Sequence, residues 1–192
     1  MFGRRIALTK NLVLELTLRP FEIIVMTPNI SDLLGGLKKN VSLVPYTTFK
    51  IGGRAKYFYQ AKTKENLIRA LNLSKKLKVP FFVLGGGSNL LVSDKGFNGL
   101  IIKQDIKRYK ISGEKLYAEA GVSFPTLVRE TGKRGLSGLE WAGGLPGTLG
   151  GAVLGNAGAF GGETKDTVIS VEAMDRNLKI KKLNKKQCKF SY

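Results

Sequence analysis

Two glycine-rich stretches contain the residues whose types and spacing could do chemistry. The first, GGGSN at residues 85–89, directly follows the short apolar run FFVL. Successive glycines let backbone N–H groups point into one concavity with no Cβ in the way, which suits phosphate oxygens. The side chains of Ser88 and Asn89 add hydrogen-bonding groups. Taken alone, the stretch favours a tight strand-to-strand turn, and a phosphate site is the second interpretation.

Neither standard nucleotide-binding motif describes this first stretch. The dinucleotide fingerprint G-x-G-x-x-G fails because Leu90 occupies the third glycine position. A Walker loop needs G-K-[ST] after its last glycine, and the chain has no such sequence. Any phosphate site here must therefore be of another kind.

The second stretch is WAGGLPGTLGGAVLGNAGAFGGE, residues 141–163. Each glycine in regular structure costs roughly 0.5–1 kcal/mol relative to alanine, so this density indicates a need for close backbone approach. We predict that Pro146 opens a short helix whose free N-terminal amides favour an anion. A flexible loop is the alternative. The residues expected to serve a ligand are Gly147 and Thr148 in the first turn, Gly150 and Gly151 for close approach, and Asn156 as donor and acceptor.

Charge and composition restrict the function classes. The chain has 192 residues, 43% of them hydrophobic, and a formal charge of +18 from 32 basic and 14 acidic residues. This balance favours anionic partners, or it reflects a lysine-rich solvated surface. The lysines are spread along the chain, and the one dense run, 179–189, alternates charged and apolar residues as an exposed strand does. Nucleic-acid binding is therefore disfavoured.

Residue types that are missing exclude several chemistries. The chain has no histidine, which excludes Ser-His-Asp and Cys-His catalysis and histidine-ligated metals. We expect no metal site. Cys188 is the only cysteine, so no intrachain disulfide forms and a reducing compartment is predicted. No apolar run reaches the roughly 18–20 residues of a membrane span. We predict a cytoplasmic protein, and we interpret residues 1–25 as an appendage or misassigned start before Met26.

Periodicity and caps predict alternating elements. Thr63 caps an amphipathic helix, KENLIRALNLSKKLK, which lies between the strand YFYQA and the buried strand FFVL. The first glycine stretch would then lie at the carboxyl end of a strand, where α/β sheets bind ligands. A short helix is expected at SDLLGGLKK, capped by Ser31 or Asp32. Further predicted elements are a strand GLIIK, a hairpin KRYKIS–KLYAEAG, a helix FPTLVRETGKRG capped by Ser123, and strands VISVEAMD and KIKKLN.

Four ordered motifs carry a resemblance to a known family. TTFKIGGRA, VLGGGSNLLVSDKGFNGLII, GLSGLEWAGGLPGTLGGAVLGNAGAFGGE and the terminal CKFSY resemble UDP-N-acetylenolpyruvoylglucosamine reductase, also called UDP-N-acetylmuramate dehydrogenase. The resemblance covers roughly residues 43–192. It implies an α+β fold, an FAD-binding domain of the vanillyl-alcohol-oxidase (PCMH) type with two α/β subdomains. Residues 1–30 would be an N-terminal extension, and a C-terminal substrate-binding domain is absent from this sequence.

The same resemblance implies a cofactor, a reaction and a set of site residues. NADPH would reduce FAD, and the reduced flavin would reduce the enolpyruvyl group of a UDP-sugar during peptidoglycan precursor synthesis. In such enzymes the GGGSN turn contacts the pyrophosphate, and the GLPGTLGGA and NAGAFG segments line the flavin. The predicted cofactor-binding residues are therefore Gly85, Gly86, Gly87, Ser88, Asn89, Leu90, Leu145, Pro146, Gly147, Thr148, Gly150, Gly151, Ala152, Asn156 and Gly158.

The family pattern also sets limits. Without histidine, FAD should be non-covalent, and we expect no tether through Cys188. In the family an active-site arginine follows the tyrosine that corresponds to Tyr192, so no catalytic residue is assigned in this chain. Glu140 and Glu163 are expected to cap helices or lie on the surface. We predict a monomer that binds FAD weakly at best and does not turn over; the alternatives are a non-catalytic basic nucleotide- or nucleic-acid-binding module and an oxidase of the same flavin fold.

Overall fold

The computed structural model describes residues 29–191. The interpretations of residues 1–28, including the start at Met26, and of Tyr192 lie outside the described residues.

A four-stranded sheet organises the N-terminal part of the described chain. Its strand order is β1-β2-β4-β3; β1 is antiparallel to β2, whereas β2, β3 and β4 run parallel. The strands are β1 (Lys38–Ser42), β2 (Arg54–Ala61), β3 (Phe81–Leu84) and β4 (Phe97–Gln104). The predicted strand–helix–strand unit is confirmed, with β4 inserted between its two strands.

Helices cover one face of this sheet. The predicted amphipathic helix is α2 (Lys64–Lys76), and Thr63 Oγ1 accepts a hydrogen bond from Asn66 N at 3.2 Å. A short α1 (Ile30–Leu33) precedes the sheet; its N-cap is Asn29, not Ser31 or Asp32 as predicted, because the Asn29 side chain accepts from Ser31 N. One core cluster joins α1, α2, β2 and β4, and its members are Ile30, Leu34, Tyr57, Tyr59, Ala61, Ala70, Leu71, Leu100 and Ile102.

The prediction that FFVL is a buried strand is wrong. Phe81, Phe82 and Val83 are 37%, 42% and 41% exposed, and only Leu84 is buried. The reason is topological, because β3 pairs with β4 alone and forms an edge of the sheet. An apolar run predicts a strand, but it does not predict whether that strand lies at the centre or at the edge of the sheet.

The rest of the described chain consists of hairpins and short helices. The predicted hairpin is β5–β6, the predicted helix after Ser123 is α3, and the two predicted late strands are β9 and β10. The bounds are β5 (Tyr109–Ser112), β6 (Lys115–Ala118), α3 (Phe124–Gly132), α4 (Leu149–Leu154), β7 (Gly158–Ala159), β8 (Gly162–Glu163), α5 (Thr164–Thr167), β9 (Ser170–Met174), β10 (Ile180–Asn184) and α6 (Lys185–Cys188), with 3₁₀ turns at Val44–Tyr46 and Glu140–Ala142.

The predicted helix start at Pro146 is also wrong. Helix α4 begins at Leu149, and Thr148 is its N-cap with extended dihedral angles. Gly147 has φ +117°, which is not helical, and its carbonyl accepts from Phe124 N at 3.0 Å. This long-range bond, part of a bridge between residues 123 and 148, holds the segment extended until Thr148.

A separate core cluster supports this second part. It consists of Val122, Phe124, Leu127, Ala142 and Ala152, with Trp141 packed edge-on against Phe124 at a ring-centroid distance of 5.9 Å. Because Ala142 and Ala152 belong to this cluster, the second glycine segment is anchored at its start and through α4.

Candidate cofactor site

The two glycine segments, far apart in the sequence, touch each other. A Cβ added at Gly86 would lie 2.6 Å from Gly147 Cα, and one at Gly85 would lie 2.8 Å from Thr148 Oγ1. Ser88 Oγ donates a hydrogen bond to the Pro146 carbonyl at 3.3 Å. The structure therefore brings the predicted phosphate turn and the predicted second anchor into a single site.

The turn at Gly87 is required by the chain itself. Gly87 has φ +70°, and a Cβ there would lie 1.9 Å from the Tyr46 carbonyl oxygen. The Gly87 carbonyl accepts from Thr48 N at 3.1 Å, which joins the turn to the segment before β2. The space beside these glycines is thus occupied by protein atoms of Thr148, Gly147 and Tyr46.

The amides of this turn remain available. Within residues 29–191, the N–H groups of Gly86, Gly87, Ser88 and Asn89 donate to no protein acceptor. Gly86 and Asn89 are exposed, Ser88 is half-buried, and Gly87 is buried, so the accessible amides are those of residues 86, 88 and 89. Successive free amides at the end of a strand make an anion-binding concavity of the kind that the sequence predicts.

The side chain of Lys103, near the end of β4, contacts the glycine turn. It is half-buried, and its Nζ donates to the Gly85 carbonyl. Burial lowers the pKa of the Lys103 amine below its usual 10.5, although nearby Asp105 acts in the opposite direction. An amino group drawn out of water therefore fixes the first residue of the glycine turn.

The second segment contains glycines of two kinds. Gly150 lies against the chain, since a Cβ there would be 2.7 Å from Ala120 Cβ, and its amide donates to the Ala120 carbonyl at 2.8 Å. Gly151 is exposed, and a Cβ there would come no nearer than 3.6 Å to any atom outside its helix and chain neighbours, namely Thr148 Oγ1. The segment thus leaves an open backbone surface beside the turn.

Asn156 occupies a structural position within this segment. It is 1% exposed and has φ +42°. Its Nδ2 donates to Glu163 Oε2 at 2.6 Å, and its Oδ1 accepts from Lys165 N at 3.0 Å. These bonds join the end of α4 to the start of α5, and a cofactor contact by Asn156 stays a prediction.

The two nearby carboxylates are stabilised in their ionised form. Glu140 Oε2 accepts from Gly138 N at 2.6 Å, and backbone hydrogen bonds, the one at Glu140 first, lower the pKa of its carboxyl. A hydrogen bond from Lys165, followed by one from Asn156, lowers the pKa of the Glu163 carboxyl. Glu163 is the N-cap residue of α5. Neither group is suited to donate a proton at neutral pH.

The predicted apolar site residues face the protein cores. Leu90 packs against the cluster of Leu43, Phe58 and Leu84, and Leu145 packs against the cluster that contains Ala152. Any contact of these three with a cofactor would therefore come from backbone atoms or side-chain edges. Gly158 pairs with Glu163 in the β7–β8 ladder.

A family profile described as "FAD binding domain" matches residues 55–184. The chain belongs to this family. The match covers both glycine segments and Lys103, so the site lies within a recognised FAD-binding domain.

Individual proteins support the resemblance predicted from the motifs. The chain is 39% identical over 171 residues to UDP-N-acetylenolpyruvoylglucosamine reductase of Caldanaerobacter subterraneus subsp. tengcongensis, which covers 88% of this chain and 57% of that protein. The crystal structure of UDP-N-acetylenolpyruvylglucosamine reductase (MurB) from Thermus caldophilus is 34% identical, with a TM-score of 0.70, over 81% of this chain and 56% of that one. The chain spans about half the length of the curated relatives that it matches.

The wider fold agrees with the expected type. Aclacinomycin oxidoreductase, 19% identical, matches 77% of this chain and 33% of its own with a TM-score of 0.54, which shows a shared fold. The fold of this FAD-binding domain is therefore the vanillyl-alcohol-oxidase (PCMH) type, as predicted. Within residues 29–191 no helix is both long and apolar enough to cross a membrane, and no group of three or more acidic or cysteine side chains is placed to hold a metal ion.

Sequence reasoning missed Lys103 in this FAD-binding domain. The available signal was a lysine near the end of the apolar strand GLIIK, one position beyond its buried part. A lysine at that position is equally typical of a strand end that reaches solvent, so the sequence did not predict its hydrogen bond to the glycine turn.

Proposed function

We propose that this chain binds FAD non-covalently, with the pyrophosphate on the amides of residues 86–89. The observation that carries the proposal is the row of amides without protein acceptors, placed against the second glycine segment in a member of the FAD-binding domain family. Hydrogen bonds from backbone amides to ionised oxygens are among the stronger ones, contributing roughly 1.5–3 kcal/mol each.

Each part of the site has its own task in this proposal. The accessible amides of the turn would bind phosphate oxygens, and Lys103 would keep the turn in place through the Gly85 carbonyl. Ser88 would hold the turn against the Pro146 carbonyl. The open backbone around Gly151 would lie beside the flavin end of the cofactor, where a side chain would obstruct it.

We further propose that the chain is the flavin-binding part of an NADPH-dependent reductase. It would serve the conversion of UDP-N-acetylglucosamine enolpyruvate to UDP-N-acetylmuramate in peptidoglycan precursor synthesis, inside the cytoplasm. The names and identities of the matched reductases support this substrate class. When bound, FAD would supply hydride transfer between NADPH and the enolpyruvyl group.

No described residue is proposed as the proton donor. Glu140 and Glu163, the carboxylates near the glycine segments, both have lowered pKa values and internal hydrogen bonds. We assign the chain the work of binding and orienting the flavin and no acid–base step.

A flavin titration tests the binding proposal. Purified chain is titrated with FAD and, in parallel, with riboflavin, which has the same isoalloxazine ring but no pyrophosphate. We expect saturable binding of one FAD and an affinity for riboflavin at least about tenfold weaker, since several amide–phosphate bonds are lost. Equal affinities, or no FAD binding by a folded chain, would contradict the proposal.

A further inference from the structure

A second concave surface lies at the opposite end of the four-stranded sheet. Strands β2 and β4 run parallel, and their first residues form its floor. Leu84, just before the glycine turn, pairs with Lys103, so the start of β4 is about 20 Å from the turn at roughly 3.3 Å per residue. We call this surface the basic groove; it is a depression of about 450 Å³ that is open to solvent, and it is lined by Lys39, Asn40, Arg54, Lys56, Tyr57, Lys95, Phe97 and Asn98.

The lining of the basic groove carries four positive charges and no negative one. Lys39, Arg54, Lys56 and Lys95 are all exposed, and no Asp or Glu belongs to the lining. Among residues 29–191, none of these four forms an ion pair with a carboxylate. Like charges gathered in one concavity raise the local concentration of anions.

Close backbone packing fixes the position of Lys95. Gly53 N donates to the Ser93 carbonyl at 2.9 Å, which ties the loop before β4 to the segment before β2. Gly96 has φ +73°, and a Cβ there would lie 2.0 Å from the Arg54 carbonyl oxygen. The glycines of two motifs, IGGRA and DKGFNG, thus bring Lys95 beside Arg54.

A hydrogen bond fixes Arg54 in turn. Its Nη1 donates to the Asn40 carbonyl at 2.7 Å, across the β1–β2 pair. The guanidinium is therefore held over the groove, with its remaining N–H groups free to bind oxygens. The Arg54 guanidinium is held in place by the fold, and the backbone of Lys95 is fixed beside it, whereas the Lys95 side chain is exposed.

These features select a small phosphate chain as the ligand. A guanidinium and clustered ammonium groups match phosphate oxygens, and the groove volume falls within the usual range for small-molecule sites. The Tyr57 ring is buried, with Lys56 Nζ 5.5 Å from its centre. Phe97 packs against the core cluster that contains Leu84, so neither aromatic ring of the lining is fully exposed for a nucleic-acid base to stack on. We propose that the basic groove binds a small molecule with two or more consecutive phosphates, separately from the FAD site.

Calorimetric titration with tripolyphosphate tests this proposal on the 192-residue chain. The titration is run at low salt, with and without excess FAD, and repeated with ATP and with a single-stranded DNA oligonucleotide. With excess FAD occupying the glycine turn, we expect one remaining tripolyphosphate site, and its affinity should be the same as that of the K56Q/K95Q-sensitive site measured without FAD. ATP should compete for it, because ATP carries the same chain of phosphates.

Charge-matched variants locate the site. K56Q/K95Q removes two groove charges without breaking a hydrogen bond recorded for those side chains, and it should weaken tripolyphosphate binding at least tenfold. K62Q/K110Q removes two exposed charges elsewhere and should change the affinity less than twofold. Circular dichroism confirms that both variants are folded.

Several results would overturn the proposal. Absence of tripolyphosphate binding by folded chain, an equal loss in both double variants, or competition by FAD that is insensitive to K56Q/K95Q would each do so. Tight DNA binding without tripolyphosphate binding would assign the groove to a nucleic acid instead.

Discussion

The two glycine segments have similar compositions, but their glycines are needed for different reasons. At Gly85, Gly86 and Gly87 an added Cβ would lie 2.8, 2.6 and 1.9 Å from another part of the chain. At Gly151 and Gly155 the nearest atoms would be 3.6 and 3.5 Å away, and neither residue has a positive φ. The first segment needs Gly86 and Gly87 in order to fold, whereas the second contains Gly151, a glycine inside α4 that the free protein does not need; Gly155 is the C-cap residue of α4.

This difference distinguishes glycines that are present for a structural reason from glycines that are present for a functional one. Glycines that pack against backbone would be explained even if no ligand existed. Glycines in open, helical positions cost stability relative to alanine. Their presence beside a row of free amides is explained by a ligand that comes close to the backbone there. Each prediction below tests one side of this contrast.

The largest effect is expected for Gly87→Ala. The substitution adds left-handed backbone strain to a clash with the Tyr46 carbonyl, and together these should lower the free energy of unfolding by about 3 kcal/mol. Urea denaturation measures the change. Gly113→Ala is the matched control, because Gly113 also has a positive φ, +55°, but no atom within 4 Å. A similar loss in both variants would show that the clash contributes nothing.

A smaller effect is expected for Lys103→Met. Methionine keeps most of the side-chain volume but removes the donor to the Gly85 carbonyl. FAD affinity should fall about tenfold or more, as expected for the loss of a charge-assisted hydrogen bond of roughly 1.5–3 kcal/mol. Lys110→Met, on an exposed strand of the β5–β6 hairpin, is the control. Unchanged FAD affinity in Lys103→Met would remove this residue from the account of the site.

The same variant has a pH signature. Burial lowers the Lys103 pKa, so between that value and 10.5 the folded chain binds fewer protons at this site than the unfolded chain does. The free energy of unfolding of the parent, relative to Lys103→Met, should therefore rise with pH in this window and level off above 10.5. Denaturation curves for both proteins at several alkaline pH values measure the difference. A flat or falling difference would contradict the assignment of Lys103 as a desolvated amine.

Gly151→Ala tests the functional side of the comparison. The added methyl group meets no protein atom closer than 3.6 Å and improves helix propensity, so stability should be unchanged or higher. FAD affinity should fall about tenfold, since the methyl group occupies the surface assigned to the cofactor. Gly132→Ala is the control, because Gly132 ends α3 with no atom within 4 Å. Normal FAD binding by Gly151→Ala would mean that this glycine does not serve the ligand.

The smallest effect is expected for Ser88→Ala. The hydroxyl makes one hydrogen bond, 3.3 Å long, to the Pro146 carbonyl. Its loss should lower the free energy of unfolding by about 0.5–1 kcal/mol, since a single neutral hydrogen bond is removed. Thermal denaturation measures this change, with Ser112→Ala on the exposed end of β5 as the control. A much larger loss would indicate that the two segments depend on this bond to meet.

Local signals predicted most of the elements in this fold. The cap at Thr63 and the spacing after it define α2, and alternation defines the β9–β10 pair. The exposure of β3 could not be predicted from the sequence. It follows from the edge position of this strand, which pairs with β4 alone. The start of α4 was missed because the bond from Phe124 N to the Gly147 carbonyl joins residues far apart in the sequence.

The site was predictable in its members but not in its arrangement. Composition and the family motifs identified both glycine segments. Spacing alone could not show that Gly86 meets Gly147, nor that Lys103 reaches the turn. The basic groove could not be predicted from the sequence either. Arg54 and Lys95 belong to separate motifs, and only the parallel pairing of β2 and β4 brings them together.

The central claim is that the free amides of the first glycine turn bind the FAD pyrophosphate. A ¹H–¹⁵N correlation spectrum of the labelled chain, recorded during titration with FAD, tests it most directly. We predict that the amide signals of residues 86–89 shift most and saturate together with those of residues 147–151. Largest shifts at Lys39, Arg54, Lys56 and Lys95, with the glycine turn unchanged, would contradict the claim.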